Sequence, residues 1–195
     1  NKAEWMVMTV IPVIPPELLE QLNRYQNTRG AGVAGWTKDN CLLVSTRFAE
    51  TAQAHRVCQP MGMREQLTFY PEPVGGLTTS PSKATQDGFV FSKDVGGNEF
   101  SQLYWFDFAS RNTTMLTDGK RSQNNGALFS QDGTKLAYSS TARNGKDTDV
   151  WLRDVKTGAS KPLVTEGGNW SAMDFSPDGT AMVWLATPLR NVSTP

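Results

Sequence analysis

Short apolar runs bounded by Asp, Asn, Gly or Pro recur along this chain at a nearly constant interval. Turn pairs stand at Asp39-Asn40, Asp87-Gly88, Asp132-Gly133 and Asp178-Gly179, spaced 48, 45 and 46 residues apart. Asn and Gly tolerate positive φ, so each pair predicts a tight hairpin turn. The surroundings repeat too: Phe129-Ser130-Gln131-Asp132-Gly133-Thr134 returns as Phe175-Ser176-Pro177-Asp178-Gly179-Thr180 at an offset of 46. An apolar strand follows each turn, at 42–46, 89–92, 136–140 and 182–185. A third strand is expected at 55–58, 103–107 and 150–154, with Trp105 and Trp151 again 46 apart. Fourth strands are expected near Gln66-Leu67-Thr68, Met115-Leu116-Thr117 and Leu163-Val164-Thr165.

Four strands per unit at this period mark a β-propeller blade, whose sheet packs on a neighbour on each side. The fold expected is all-β: a β-propeller fragment of four-stranded antiparallel blades spanning 30–185. Blades fall at about 30–70, 76–118 and 122–166, with a half blade at 169–185 and an irregular tail at 186–195. Three and a half blades close no ring, so the pattern predicts an excerpt of a longer propeller. Residues 1–29 break the repeat and read as an extension packing on the propeller. Within them Trp5 to Ile14 is strand-like, and Pro15-Pro16 opens a short helix with Glu17 and Glu20 in its first turn. Leu18, Leu22 and Tyr25 share one face of that helix.

Composition narrows the partners. Lys+Arg and Asp+Glu both number 19, so no net charge draws in nucleic acid or an anionic membrane. The longest apolar run, 5–14, is about half a membrane span. Localisation stays open between bacterial periplasm and cytoplasm. The two cysteines fit no metal-ligand spacing, and no metal or cofactor is expected. Were 42–47 to pair with 54–59, Cys58 would oppose Leu43 and lie diagonal to Cys41, farther than a disulfide normally spans. Two free, half-buried thiols are the expectation.

Several stretches resemble the prolyl oligopeptidase family of serine peptidases. They are 25–29 (Tyr-Gln-Asn-Thr-Arg), 45–57 from Ser45 to Val57, 66–69 and 96–100 (Gly-Gly-Asn-Glu-Phe). More narrowly, they are similar to the amino-terminal, TolB-like propeller of dipeptidyl and acylaminoacyl peptidase relatives. The resemblance implies a propeller that caps and gates an α/β-hydrolase domain carrying a Ser-Asp-His triad, with peptides as substrates. That domain is not in this sequence: the nucleophile elbow Gly-x-Ser-x-Gly is absent, and the single histidine, His55, falls in a blade strand. No residue here is expected to be catalytic, and the chain alone is expected to be inactive and to self-associate. The alternative is a TolB-like propeller that binds a protein or ligand with no enzyme attached.

Propeller loops carry recognition while blades hold shape. The connections between second and third strands, 47–53 and 93–99, are therefore the candidate substrate-binding surface. The resemblance implies that propeller carboxylates recognise a peptide's amino terminus. Glu50 and Glu99 are the candidates for that role, and Arg47 would pair with a carboxylate. The chain lacks the Glu-Glu pair of strict dipeptidyl peptidases, which leaves exo- and endopeptidase specificity open.

Overall fold

The computed structural model describes residues 14–26 and 30–187. Helix α1 (Pro16–Gln26) starts at the Pro pair, with Glu17 in its first turn and an exposed Glu20–Arg24 pair at 3.7 Å one turn apart. Its Leu18, Leu22 and Tyr25 are exposed. The apolar run at 5–13 lies outside the described residues. No helix among the described residues is long and apolar enough to cross a membrane.

From Ala31 to Thr187 every regular element but one short 3-10 turn is a strand. Blade 1 comprises β1 (Ala31–Trp36), β2 (Leu42–Thr46), β3 (Gln53–Val57) and β4 (Glu65–Gln66). Blade 2 comprises β5 (Gly75–Thr78), β6 (Gly88–Lys93), β7 (Gln102–Asp107) and β8 (Thr113–Met115). Blade 3 comprises β9 (Asn124–Phe129), β10 (Lys135–Ser140), β11 (Asp149–Asp154) and β12 (Ser160–Val164). A two-stranded sheet of β13 (Asn169–Phe175) and β14 (Met182–Thr187) follows. Each blade pairs its strands in sequence order, antiparallel throughout, which is the meander expected of a propeller blade. The second and third strands fall where the apolar runs put them. The fourth strands begin one to three residues earlier than expected, at Glu65, Thr113 and Ser160.

The repeated hexapeptides build the same turn. In one, the Ser130 hydroxyl donates to Asp132 Oδ1 at 2.6 Å, the Thr134 amide donates to the same oxygen, and Gly133 sits at φ 72°. In the other, Ser176, Asp178, Thr180 and Gly179 reproduce the arrangement with φ 67° at the glycine. Each Asp thus accepts three hydrogen bonds. Those bonds, from the Ser hydroxyl first, lower both carboxyls to a pKa of about 2. These aspartates are turn formers.

Four expectations are corrected. Asp87-Gly88 is no hairpin tip, because the 3-10 turn Lys83–Thr85 lies in a longer connection and Gly88 opens β6, paired with Asp107. Its glycine serves a close approach: a Cβ there would meet the Phe106 carbonyl and lie 2.5 Å from the Trp105 ring. The start of the tail is strand, since Ala186 and Thr187 pair with Trp170 and Asn169; 188–195 lies outside the described residues. Trp105 and Trp151 are not equivalent positions. The pairs Phe91–Tyr104 and Tyr138–Trp151 correspond at an offset of 47, so Trp105 matches Leu152 and points to the opposite face of its blade.

The fourth correction concerns the thiols. In blade 1 Leu42 pairs with Val57 and Leu43 with Arg56, so continuing the register puts Cys41 directly opposite Cys58. Their Cα atoms are 4.1 Å apart and the sulfurs are bonded. The assumed register was off by two in the summed positions, enough to turn an opposed pair into a diagonal one.

Alternation along the strands gives every blade two apolar faces, and the core lies in the seams. Between blades 1 and 2, Leu43, Ala54, Leu67 and Val74 meet Phe89, Phe91, Tyr104 and Phe106. Between blades 2 and 3, Val90 and Leu103 meet Phe129, Leu136 and Tyr138, with Trp105 and Trp151 entering from opposite sides. Phe89 and Phe91 are fully buried, each contributing about 1.5–3 kcal/mol of transfer free energy. At the two ends of the stack Val33, Trp36, Val183, Trp184 and Leu185 are exposed.

Candidate functional site

The first residue of each third strand anchors the rim. Gln53 Nε2 donates to the carbonyls of Tyr70 and Glu72 at 2.9 and 3.0 Å, while its Oε1 accepts from the Tyr70 amide. Gln102 repeats this one blade later, donating to the Lys120 and Ser122 carbonyls and accepting from Thr117 and Gly119. Both side chains are buried and tie the strand to the peptide that leads into the next blade. A primary amide suits this position because it donates and accepts at once. In blade 3 the position is Asp149, wholly buried, which accepts from Arg143 Nε and Nη2 at 2.7 and 2.9 Å.

On this frame the 47–52 and 94–101 connections occupy equivalent places in adjacent blades. The Val74 amide donates to the Ala52 carbonyl at 2.8 Å, fastening the inter-blade peptide to the first connection. Glu72 then reaches the second. Its Oε1 accepts from the Gly96 amide at 2.9 Å and its Oε2 lies 3.6 Å from Lys93 Nζ. The Gly96 hydrogen bond and, less strongly, the Lys93 charge hold the Glu72 carboxyl below the usual carboxylate range. Lys93 Nζ also sits 4.8 Å from the Tyr70 ring centroid and 5.5 Å from that of Tyr104, a cation on two aromatic faces. Burial raises the Tyr104 hydroxyl pKa.

A cavity of about 420 Å³ opens beside this cluster, lined among others by Val74, Ser92, Lys93, Asp94 and Glu99. Glu99 is exposed, adopts φ 64°, and donates its amide to Asp94 Oδ2 at 3.1 Å. A non-glycine residue in this region is a strained position of the kind found at binding sites. Of the sequence-derived candidates, then, Glu99 reaches the cavity. Arg47 is half-buried and Glu50 exposed in the preceding blade's connection, and the cavity lining includes neither. Glu72 and Lys93, missed in the sequence, are the charged residues that join the two connections. The spacing of Gln53, Gln102 and Asp149, at 49 and 47, was the available signal for the anchoring position.

His55 lies in β3 as expected, buried at 1 % exposure. Its Nδ1–H donates to the Gln53 carbonyl at 3.0 Å, and the Phe48 ring meets it edge-on. Burial lowers its pKa, favouring the neutral ring inside the blade. Asp39, Cys41 and Cys58 gather within 4.8 Å. With the sulfurs bonded to each other, the trio offers no thiolate to a metal.

No protein-family model matches the chain. Among solved structures it is similar to TolB from Acinetobacter baumannii, at 20% identity and TM-score 0.63, over 84% of this chain and 39% of that one. It is similar to Porphyromonas gingivalis dipeptidyl peptidase 4 at 16% identity and TM-score 0.54, over 70% of this chain and 19% of that one. A prolyl endopeptidase matches at 14% identity and TM-score 0.56, over 77% of this chain and 24% of that one. The chain therefore spans about two fifths or less of these proteins. The shared fold is the TolB-like propeller.

Proposed function

We propose that this chain is the substrate-gating propeller portion of a prolyl-oligopeptidase-type serine peptidase, with hydrolysis carried out by an α/β-hydrolase domain that the sequence does not contain. The observation that carries the reading is the carboxylate-rich rim between blades 1 and 2, where Glu72 links two blade-equivalent connections beside a cavity bearing Asp94 and Glu99. The similarity to peptidase propellers supports it at the level of fold. In this reading Glu99 and Glu50 attract the ammonium of a peptide's amino terminus and Arg47 meets a carboxylate or carbonyl of the same peptide.

Two measurements test it. Peptides with a free amino terminus should bind the chain more tightly than their acetylated forms, and Glu99→Gln should remove the difference. Equal binding of the two forms would exclude the ammonium role. The coding DNA after Pro195 should run in frame into a hydrolase domain with Gly-x-Ser-x-Gly. The greater likeness to TolB favours a second reading, a binding propeller without an enzyme, and a stop without such a domain would select it.

A further inference from the structure

The two seams are built on the same register but closed differently. In blade 1 the pair Leu43–Arg56 faces the next blade; in blade 2 the corresponding pair is Val90–Trp105. Arg56 is paired across to Glu65 on β4, as Trp105 is paired to Thr114 on β8. The residue after β7, Phe108, corresponds to Val155 after β11. Each donates its amide to a carbonyl just before the second strand of its own blade, at Asp87 and Thr134.

In the first seam these positions form a filled cation site. The Arg56 guanidinium lies 6.0 Å from the Phe108 centroid and bonds Glu65 at 2.8 Å and Asp39 at 3.2 Å. In the second seam the aromatic partner is Trp105, and Val155 stands where Phe108 stood. The smaller side chain leaves a cavity of about 390 Å³, lined by Trp105, Val155, Leu136, Asp87, Asp107 and Arg153. Among the described residues no cation stacks on Trp105. Its ring lies against the β6 backbone at Gly88, the one residue type that permits this approach. Asp107 stands two residues along β7 from Trp105, hence on the same face.

Both carboxylates retain capacity. Asp87 pairs with exposed Lys38 through Oδ1, and Asp107 uses Oδ1 to cap Ser110. Arg153, on the blade 3 wall, also lines the cavity, and its Nη1 is engaged by the carbonyls of Leu116 and Gly158 and by Ser160. Aromatic face, carboxylates and volume are thus present in the second seam, where Trp105 takes the strand position that Arg56 holds in the first and the one cation of the lining, Arg153, is engaged by backbone carbonyls.

We propose that the cavity between blades 2 and 3 binds an organic cation, a guanidinium or ammonium group on an apolar stem, stacked on Trp105 and paired with Asp107. The stem lies along Val155 and Leu136, and 390 Å³ is within the range of small-ligand sites. The site is separate from the rim and independent of the peptidase reading. A cation over a partly desolvated ring beside a carboxylate gains about tenfold in affinity over its neutral isostere.

The test uses the full chain and butylguanidinium, with pentan-1-ol and pentanoate as neutral and anionic controls, followed by the Trp105 indole resonance. An acetylated Gly-Arg-Gly amide serves as the peptide-borne source of the same group. Saturable shifts are expected with butylguanidinium at least about tenfold tighter than with pentan-1-ol. Asp107→Asn, which keeps the acceptor for Ser110, should weaken binding severalfold. Val155→Phe restores the first seam's side chain and should abolish binding while the amide spectrum stays dispersed. Binding confined to the peptide would assign the cation to a basic residue of a partner. Equal binding of pentan-1-ol or pentanoate, unchanged affinity in Val155→Phe, or no saturable shift with either butylguanidinium or the peptide up to about 50 mM would overturn the proposal.

Discussion

Replacing Cys58 by Ala isolates the value of the blade 1 disulfide, because Cys58 is exposed and its truncation opens no core cavity, while buried Cys41 stays in place. The bond closes a loop with a sequence separation of 17. In the chain-entropy description, cross-linking a loop of this size removes about 10 cal/mol/K from the unfolded ensemble, or about 3 kcal/mol at 25 °C. With a urea dependence of about 2 kcal/mol/M, the unfolding midpoint should fall by about 1.5 M. Unfolding of the wild-type chain, oxidised and reduced, and of Cys58→Ala would be followed by tryptophan fluorescence. Reduced wild type and Cys58→Ala should coincide, both well below the oxidised chain. A bond that persists in the purified protein would also place its folding in an oxidising compartment. Coincident midpoints for the oxidised and reduced forms would refute the reasoning, since they would mean that β2 and β3 are held equally well without the bond.

Gln102→Leu should lower stability by about 3 kcal/mol, read by denaturant unfolding, because it strands buried carbonyls and donors that the amide now satisfies; a loss below about 1 kcal/mol would show that water replaces it. Asp132 and Asp178 should titrate near pH 2 by carboxyl NMR; depressed native values mean their stabilising contribution is full above the unfolded value near 3.8 and disappears as pH falls through about 2. Values near 4 would contradict the three-bond turn. Light scattering should show the chain associating with increasing concentration, through exposed Val183, Trp184 and Leu185 and the edge of β14 that no strand among the described residues pairs, and Trp184→Lys with Leu185→Lys should suppress this; a wild-type monomer at all concentrations would disprove it.

The period of turn residues and apolar runs determined the meander of the blades, because strand alternation and hairpin chemistry are local properties written into a few neighbouring residues. The Phe-Ser-x-Asp-Gly-Thr turns followed bond for bond, since every donor and acceptor in them lies within six residues. Properties that depend on which residue stands opposite which were settled by tertiary structure. The disulfide turned on a register shift that no local signal distinguishes, and the equivalence of Trp105 and Trp151 failed because loop lengths let the structural offset drift to 47. The rim shows the same division. Loop position brought Glu99 to a cavity, whereas Glu72 and Lys93 meet only because the inter-blade peptide folds back over β6, bringing together charges 21 positions apart. The second seam's cavity is less local still. It exists because Val155, an ordinary strand-end residue in sequence, faces Trp105 of another blade, and only packing decides whether that space is filled.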